Sequence, residues 1–273
     1  MTDFDPRSYW ENRLRTQWGL HGVGYLGLGG PFNEWMYRIR RRVFRRLATR
    51  IAAEAGLDPR RARVLDAGSG TGFYLQQWLD LGVTDLAGSD LTVAAVEQLR
   101  ERFPTVRLEV MDIADPVTAF EPGAYDIVSI FDVLFHIVDD ARYRAAFRNL
   151  ASLLRPGGVL LLSENFLHGP AVRTRHVVSR SAAEIAEIAR QAGLSPIGRG
   201  PMFVLMNYPV DASRMAQGVW TVATRPFVAH RSIRWIYGQV AGAVLTPLEL
   251  LLTSTLREGP STEWAAYRRS ADP

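Results

Sequence analysis

Val64-Leu65-Asp66-Ala67-Gly68-Ser69-Gly70-Thr71-Gly72 is the stretch whose reading decides the fold of this 273-residue chain. An apolar run meets an acid, and three glycines follow at alternate positions before a helical pattern resumes. Without a Cβ, glycine lets the backbone turn sharply and lie close to a ligand. The spacing is D-x-G-x-G-x-G, which differs from the G-x-G-x-x-G of dinucleotide-binding folds. Downstream, Asp85-Leu86-Ala87-Gly88-Ser89-Asp90 reads as a second strand ending in a carboxylate, 18 residues beyond Gly72. A third run, residues 106–112, ends in Asp112. Residues 125–131 form a short apolar strand that leads into Asp132-Val133-Leu134-Phe135-His136, with a helical pattern onward to Leu154. Arg155-Pro156-Gly157-Gly158 stops that helix, and residues 159–163 read as a buried strand.

This set of motifs resembles the class I S-adenosylmethionine (SAM)-dependent methyltransferases, of the bacterial type 11 or type 12 kind, over residues 60–200. The resemblance implies an α/β, Rossmann-like fold. Its sheet has seven mostly parallel strands with an antiparallel last strand, and SAM is the cofactor, S-adenosylhomocysteine the product. A carboxylate at Asp90 can accept hydrogen bonds from both ribose hydroxyls, as in dinucleotide-binding folds. By resemblance Asp112 accepts from the adenine amino group, with Met111 and Ile113 flanking the ring. Cofactor contacts are further expected from Asp66, Gly68, Ser69, Gly70, Thr71, Gly72, Leu91, Phe131 and Asp132. Methyltransferases of this kind commonly begin with a Tyr-Trp-x-x-Arg stretch that closes over the cofactor. Here Tyr9, Trp10 and Arg13 match it, with Arg13 meeting the methionine carboxylate; the bland alternative is that Trp10 only anchors the N-terminus.

Composition fits a globular chain with ample material for a core: 47% of residues are apolar, cysteine is absent, and all 32 basic residues are arginine. Disulfides and thiolate metal sites are therefore excluded. The start lacks a basic region followed by an apolar run, so no secretory signal is expected. The expected location is the cytoplasm, with peripheral attachment to a membrane as an option. Residues 1–62 hold 12 Arg against 6 acids, whereas residues 63–273 hold 20 against 22. Arg38, Arg40, Arg41, Arg42, Arg45, Arg46 and Arg50 crowd one segment in which Met36, Ile39, Val43, Leu47 and Ile51 recur at helical intervals. That pattern reads as a docked helix with a solvated basic face, or as a surface for anionic partners. Nucleic acid is disfavoured, because the fourth strand lacks the Asn/Asp-Pro-Pro-Tyr signature of base-amino methyltransferases. Before this helix, residues 21–30 contain five glycines and read as a loop.

Four regions are expected: an N-terminal flap and basic helix (1–58), the SAM-binding core (59–206), a helical cap (207–260) and the last strand (261–273). A sixth strand is expected over residues 194–206. The fifty-odd residues before its partner read as an insertion over the acceptor pocket, since a connection of that size is usually functional. Residues 233–252 are strongly apolar, yet Arg234, Gln239, Pro247 and Glu249 interrupt them, so no transmembrane span is expected. A core or cap helix, a dimer contact or a peripheral membrane face all suit that run. Monomer and homodimer both remain open.

The sulfonium of SAM makes its methyl group electrophilic, so transfer needs an aligned nucleophile. A hydroxyl acceptor gains from a base, and imidazole suits that task. His136 is the first candidate, with His168 and His176 as competitors. No cluster at metal-ligand spacing is evident. Acceptor contacts are expected from Tyr25, Phe135, Met202, Phe203, Met206, Asn207 and Tyr208. The flanking stretches resemble those of bacterial methyltransferases of glycan assembly, which favours O-methylation of a sugar, a glycolipid or another small acceptor. A natural-product N- or O-methyltransferase and a non-catalytic SAM-binding scaffold are the alternatives.

Overall fold

Short apolar runs alternate with amphipathic helices along the computed structural model, which describes residues 5–24, 26–228 and 230–270. Three helices come first: α1 (Pro6–Thr16), α2 (Leu20–Val23) and α3 (Gly29–Glu54). The alternating core follows as β1 (Arg63–Ala67), α4 (Phe73–Asp80), β2 (Asp85–Asp90), α5 (Val93–Arg102), β3 (Arg107–Val110), β4 (Tyr125–Ile130), α6 (Asp140–Leu153) and β5 (Leu154–Asn165). A small ribbon, β6 (Val172–Arg173) with β7 (Val178–Ser179), precedes α7 (Ala182–Gln191) and β8 (Leu194–Pro201). The chain ends in α8 (Arg214–Thr224), α9 (Arg231–Thr255) and β9 (Thr262–Arg269).

Seven strands form one sheet in the order β3-β2-β1-β4-β5-β9-β8. β1 pairs in parallel with β2 and β4, and β9 runs antiparallel between β5 and β8. This is the expected Rossmann-like sheet with its antiparallel last strand. Strand alternation sends Val64 to one face and Leu65 to the other. On the first face α3 and α4 bury Ile39, Phe44, Leu47 and Trp78. On the second, α6 and α7 bury Phe147, Leu150 and Ile185. Each fully buried side chain of this size contributes about 1.5–3 kcal/mol. Trp78 also ties the core to the Gly-rich turn: its indole donates to Ser129 Oγ (2.9 Å), and that hydroxyl donates to Asp66 Oδ1 (2.6 Å).

Three local expectations change. The described residues of the segment expected as a loop, 21–24 and 26–30, are largely helical, with α2, a 3-10 turn at Leu26–Leu28 and the start of α3. Its glycines serve close contact: a Cβ on Gly22 would sit 1.8 Å from the Gln17 carbonyl oxygen. The sixth strand stops at Pro201, and Met202, Phe203 and Met206 turn into the first core layer. The insertion is helical as expected, but it docks on α3 instead of capping the sheet's ligand edge. Gly238 meets Phe32 and Gly242 meets Trp35, so the two helices lie side by side in the same direction. Trp35 Nε1 donates to Gln239 Oε1 (2.9 Å), and Glu249 accepts the amides of Val204 (2.6 Å) and Leu205 (2.8 Å).

Candidate active site

A cavity of about 630 Å³ opens at the carboxyl ends of β1, β2 and β4. In open α/β sheets this is where ligands bind, at the point where strand order reverses. Gly68, Gly70 and Gly72 hold φ of 73°, 54° and 80°, the left-handed region that costs side chains dearly. Space demands glycine as well, since a Cβ on Gly68 would lie 2.4 Å from Val133. The turn is stitched to β2: Ser69 N donates to the Ser89 carbonyl (2.8 Å), and Gly70 N donates to Asp90 Oδ2 (2.8 Å). Gly68, Ser69, Gly70 and Thr71 reach the cavity wall, whereas Asp66 and Gly72 do not. Asp66 lies beneath the turn, and burial pushes its carboxyl up to about 7.

The other predicted acids converge on the same space. Asp90 lines the cavity, and its Oδ1 accepts from Thr92 N (3.0 Å) and Thr92 Oγ1 (2.8 Å). Burial raises its pKa against those hydrogen bonds. Leu91, Met111, Asp112, Ile113, Phe131 and Asp132 also line the wall. Asp112 Oδ1 accepts from Ala114 N (2.9 Å), and its Oδ2 pairs with Arg142 (2.8 Å). Ser89 Oγ and Thr71 Oγ1 are buried on this wall and have no hydrogen-bond partner within the protein.

Sequence reasoning passed over a second set. Tyr37 from α3 and Tyr74 from α4 line the cavity, and Tyr74 stacks on Phe131 with ring centroids 4.4 Å apart. Arg40, counted above only as one of a basic row, reaches inward to pair with Asp132. Asp132 is the one described non-glycine residue at positive φ (60°), and its amide donates to Ser163 Oγ (2.7 Å). Burial works against the Arg40 charge, yet Asp132, Tyr74 and Tyr37 together outweigh burial and the guanidinium pKa rises. The missed signal was helical phase: Arg40 lies in register with Met36, Tyr37, Phe44 and Leu47, all buried.

The three histidines separate cleanly. His136 lines the cavity, and its Nδ1 lies 3.0 Å from the carbonyl oxygen of His176. A carbonyl only accepts, so Nδ1 carries the proton and Nε2 is left as the basic nitrogen. Burial pushes the imidazole down to about 4. His176 stands outside the wall, stacked on Tyr9 at 6.1 Å. His168 is away from the cavity, with Nδ1 2.5 Å from Asp211 and Nε2 3.1 Å from Glu258. The Asp211 hydrogen bond raises its pKa, and both nitrogens are occupied by carboxylates, which disqualifies it as a base.

Trp10 lines the cavity and meets His136 edge-on, 5.0 Å between rings. Tyr9 and Arg13 stand behind it: Arg13 donates to Tyr9 Oη (3.0 Å) and to the Gly24 carbonyl (2.7 Å). Glu11 fastens the same helix by accepting Val93 N (2.9 Å) at the start of α5. The predicted acceptor residues are not assembled. Met202, Phe203 and Met206 are core, Asn207 donates to Thr262 Oγ1 (3.0 Å), and Tyr208 packs on Trp220 at the surface. Phe135 abuts His136 (4.7 Å) without reaching the wall. Tyr25 lies outside the described residues. Among the described residues no His, Asp or Glu cluster fit for a metal occurs.

The sequence profile of a family described as "Methyltransferase domain" matches residues 38–197. The ubiquinone biosynthesis O-methyltransferase of Xanthomonas axonopodis pv. citri is 37% identical over 113 residues, 40% of this chain and 45% of that protein. The protein of the same name from Albidiferax ferrireducens is 30% identical over 105 residues, 37% of this chain and 40% of that one. The matched part thus spans less than half the length of these curated relatives. In structure, the chain is similar to magnesium protoporphyrin IX methyltransferase from Synechocystis PCC 6803 with bound SAM. The TM-score is 0.57 at 16% identity, covering 99% of this chain and 100% of that one. The CcbJ methyltransferase from Streptomyces caelestis follows with 0.55 at 16% identity, over 98% and 100%. The chain belongs to the methyltransferase-domain family of enzymes. Its fold is that of the class I methyltransferases, whose cofactor is SAM.

Proposed function

We propose that the cavity binds SAM and that the protein transfers its methyl group to the hydroxyl of a small acceptor. The fit to the cofactor rests on the glycine cradle, the Asp90 carboxylate at the end of β2, and the two orphaned hydroxyls of Ser89 and Thr71. Gly68 to Thr71 would hold the amino acid end, Asp90 the ribose, and Asp112 with Met111 and Ile113 the adenine. When bound, SAM supplies an electrophilic methyl on a sulfonium, open to in-line displacement.

The remaining work falls to the chain's own residues. Trp10 and Leu14 from α1, with Tyr37 from α3, line one side of the space. Holding the reactants in line accounts for much of the rate in such displacements. The observation that carries the O-methylation reading is His136, on the wall, neutral at pH 7, with Nδ1 already engaged. Its Nε2 accepts the hydroxyl proton as the oxygen attacks. An imidazole pushed down to about 4 is a weak base, so it suits a hydroxyl that ionises readily, such as a phenol with a pKa of about 10. Apolar walls from Leu14, Val23, Phe73 and Tyr74 favour an acceptor with an apolar body. A glycolipid, expected from the sequence, fits those walls better than a bare sugar, and the acceptors of ubiquinone O-methyltransferases belong to the panel.

The test is transfer of labelled methyl from SAM to phenolic, glycolipid and sugar acceptors, with wild type and His136→Ala side by side. The expected result is transfer to an apolar hydroxyl acceptor, lowered about a hundredfold by the substitution with SAM affinity retained. Equal rates in the variant would remove His136 as the base. Transfer confined to nitrogen acceptors would replace O- with N-methylation.

A further inference from the structure

Helix α9 has two unlike faces. Gly238, Gly242, Glu249 and Thr253 are buried on the side that meets α3 and the turn after β8. On the opposite side Ile233, Ile236, Val240, Val244 and Leu251 recur at three-, four- and seven-residue intervals, and all are exposed, Val244 to 69%. At 1.5 Å per residue this row is roughly 27 Å long. Helix α8 repeats the pattern with Met215, Val219 and Val222, Met215 being 80% exposed, and none of its residues is buried. Single exposed apolar residues are ordinary, but rows on two successive helices mark a contact surface. Neither helix lines the cavity, so the surface has a task apart from holding the cofactor.

Its charges indicate which task. From residue 212 to 257 the ionisable acids and bases other than His230 and Tyr237 are five arginines and Glu249, and Glu249 is buried. Arg214, Arg225, Arg231 and Arg257 are exposed and stand at or beside the ends of the two helices. Apolar rows bounded by cations, with no exposed acid between them, match an anionic bilayer. The rows enter the acyl boundary and the guanidiniums reach the phosphates. We propose that the α8–α9 face seats the protein, in the plane of the surface, on an anionic lipid bilayer. This stands independently of the methyl-transfer reading.

Two rivals fit less well. By length and composition alone α9 could cross a membrane, but Gln239 and Glu249 fasten one side of it to α3 and to the amides after β8. Spanning would strip those bonds and carry a carboxylate into hydrocarbon. A second copy meeting the same face by two-fold symmetry would bring like arginines together, and the exposed acid beside Arg257, Glu258, is already engaged by His168 and Arg199.

Flotation of the full chain with vesicles tests this, comparing phosphatidylcholine alone with a mixture containing phosphatidylglycerol. The expected result is binding to the anionic vesicles that weakens with added salt. The triple variant Ile236→Asp, Val240→Asp, Val244→Asp should lower that binding at least about a hundredfold while melting like the wild type. Arg225→Gln with Arg231→Gln should lower it about tenfold or more, selectively on anionic vesicles. Failure of the wild type to float, or equal flotation of the triple variant, overturns the proposal. A wild-type dimer made monomeric by the triple variant, with no flotation, gives the face to a second copy and overturns it too. Loss of SAM binding bears only on the cavity, so the two readings fail separately.

Discussion

Helices α3 and α9 are of nearly equal length, run side by side in the same direction, and each turns a charged residue inward, Arg40 and Glu249. What they do with it differs. The α3 charge, Arg40, meets Asp132 on the cavity wall, and that partner with Tyr74 and Tyr37 holds the guanidinium pKa up against burial. The α9 charge, Glu249, meets only backbone amides, and burial pushes its carboxyl up toward the neutral form. One helix therefore feeds the site, whereas the other braces it from behind. The outward faces are opposite as well, arginine on α3 and apolar on α9. Charge counted along a sequence does not distinguish these roles; the position of each charge on its helix does.

The largest effect expected is that of Arg40→Ala. It leaves Asp132 unpaired at a strained backbone position and should cost about 3 kcal/mol of stability, with a clear rise in the Kd for SAM. Arg41→Ala, one residue along and exposed, should leave melting and titration unchanged. Equal effects at the two positions would break the comparison. Next in size is Gly242→Val, which places a Cβ 2.2 Å from the Trp35 ring. Prising α9 from α3 should cost about 1–3 kcal/mol and leave SAM affinity unchanged if α9 only braces. Lost affinity would show that α9 acts on the site.

Two pH effects sharpen the contrast further. His136 is lowered in the folded state to about 4 from an ordinary 6.5. Its contribution to stability is therefore present above about 6.5 and is lost as pH falls toward 4. The acid limb of turnover should lie near 4 to 5 and should vanish in His136→Ala. Glu249 has the reverse sign. Its raised folded pKa favours the protonated form, so its contribution is full below the ordinary carboxylate range and fades as pH rises through the raised value. Glu249→Gln should flatten the fall of the melting-temperature profile above the ordinary carboxylate range by about 2–4 °C, the smallest of the four effects. An unchanged slope would leave Glu249 without a titrating role.

The sequence made the sheet and the cofactor end of the site legible for a physical reason. Glycines at positive φ and acids closing apolar strands have few other uses, so Gly68, Gly70, Asp90 and Asp112 stood out and meet at one cavity. The stretch expected as the last strand, 261–273, likewise supplies β9 over Thr262–Arg269. Acceptor residues were not legible, because an apolar residue that lines a pocket looks like one that fills a core. Met202, Phe203 and Met206 prove to be core. His168 misled because its partners, Asp211 and Glu258, lie 43 and 90 residues away in sequence. The insertion was expected as a cap, although Gly238 and Gly242, one turn apart, signal close approach of another helix.

Calorimetric titration with SAM, on wild type and Asp90→Ala in parallel, tests the central claim most directly. The account predicts a wild-type Kd in the micromolar range, about −8 kcal/mol, weakened at least about tenfold when the carboxylate is lost. A wild type that binds neither SAM nor S-adenosylhomocysteine, or a variant that binds as well as the wild type, would contradict it.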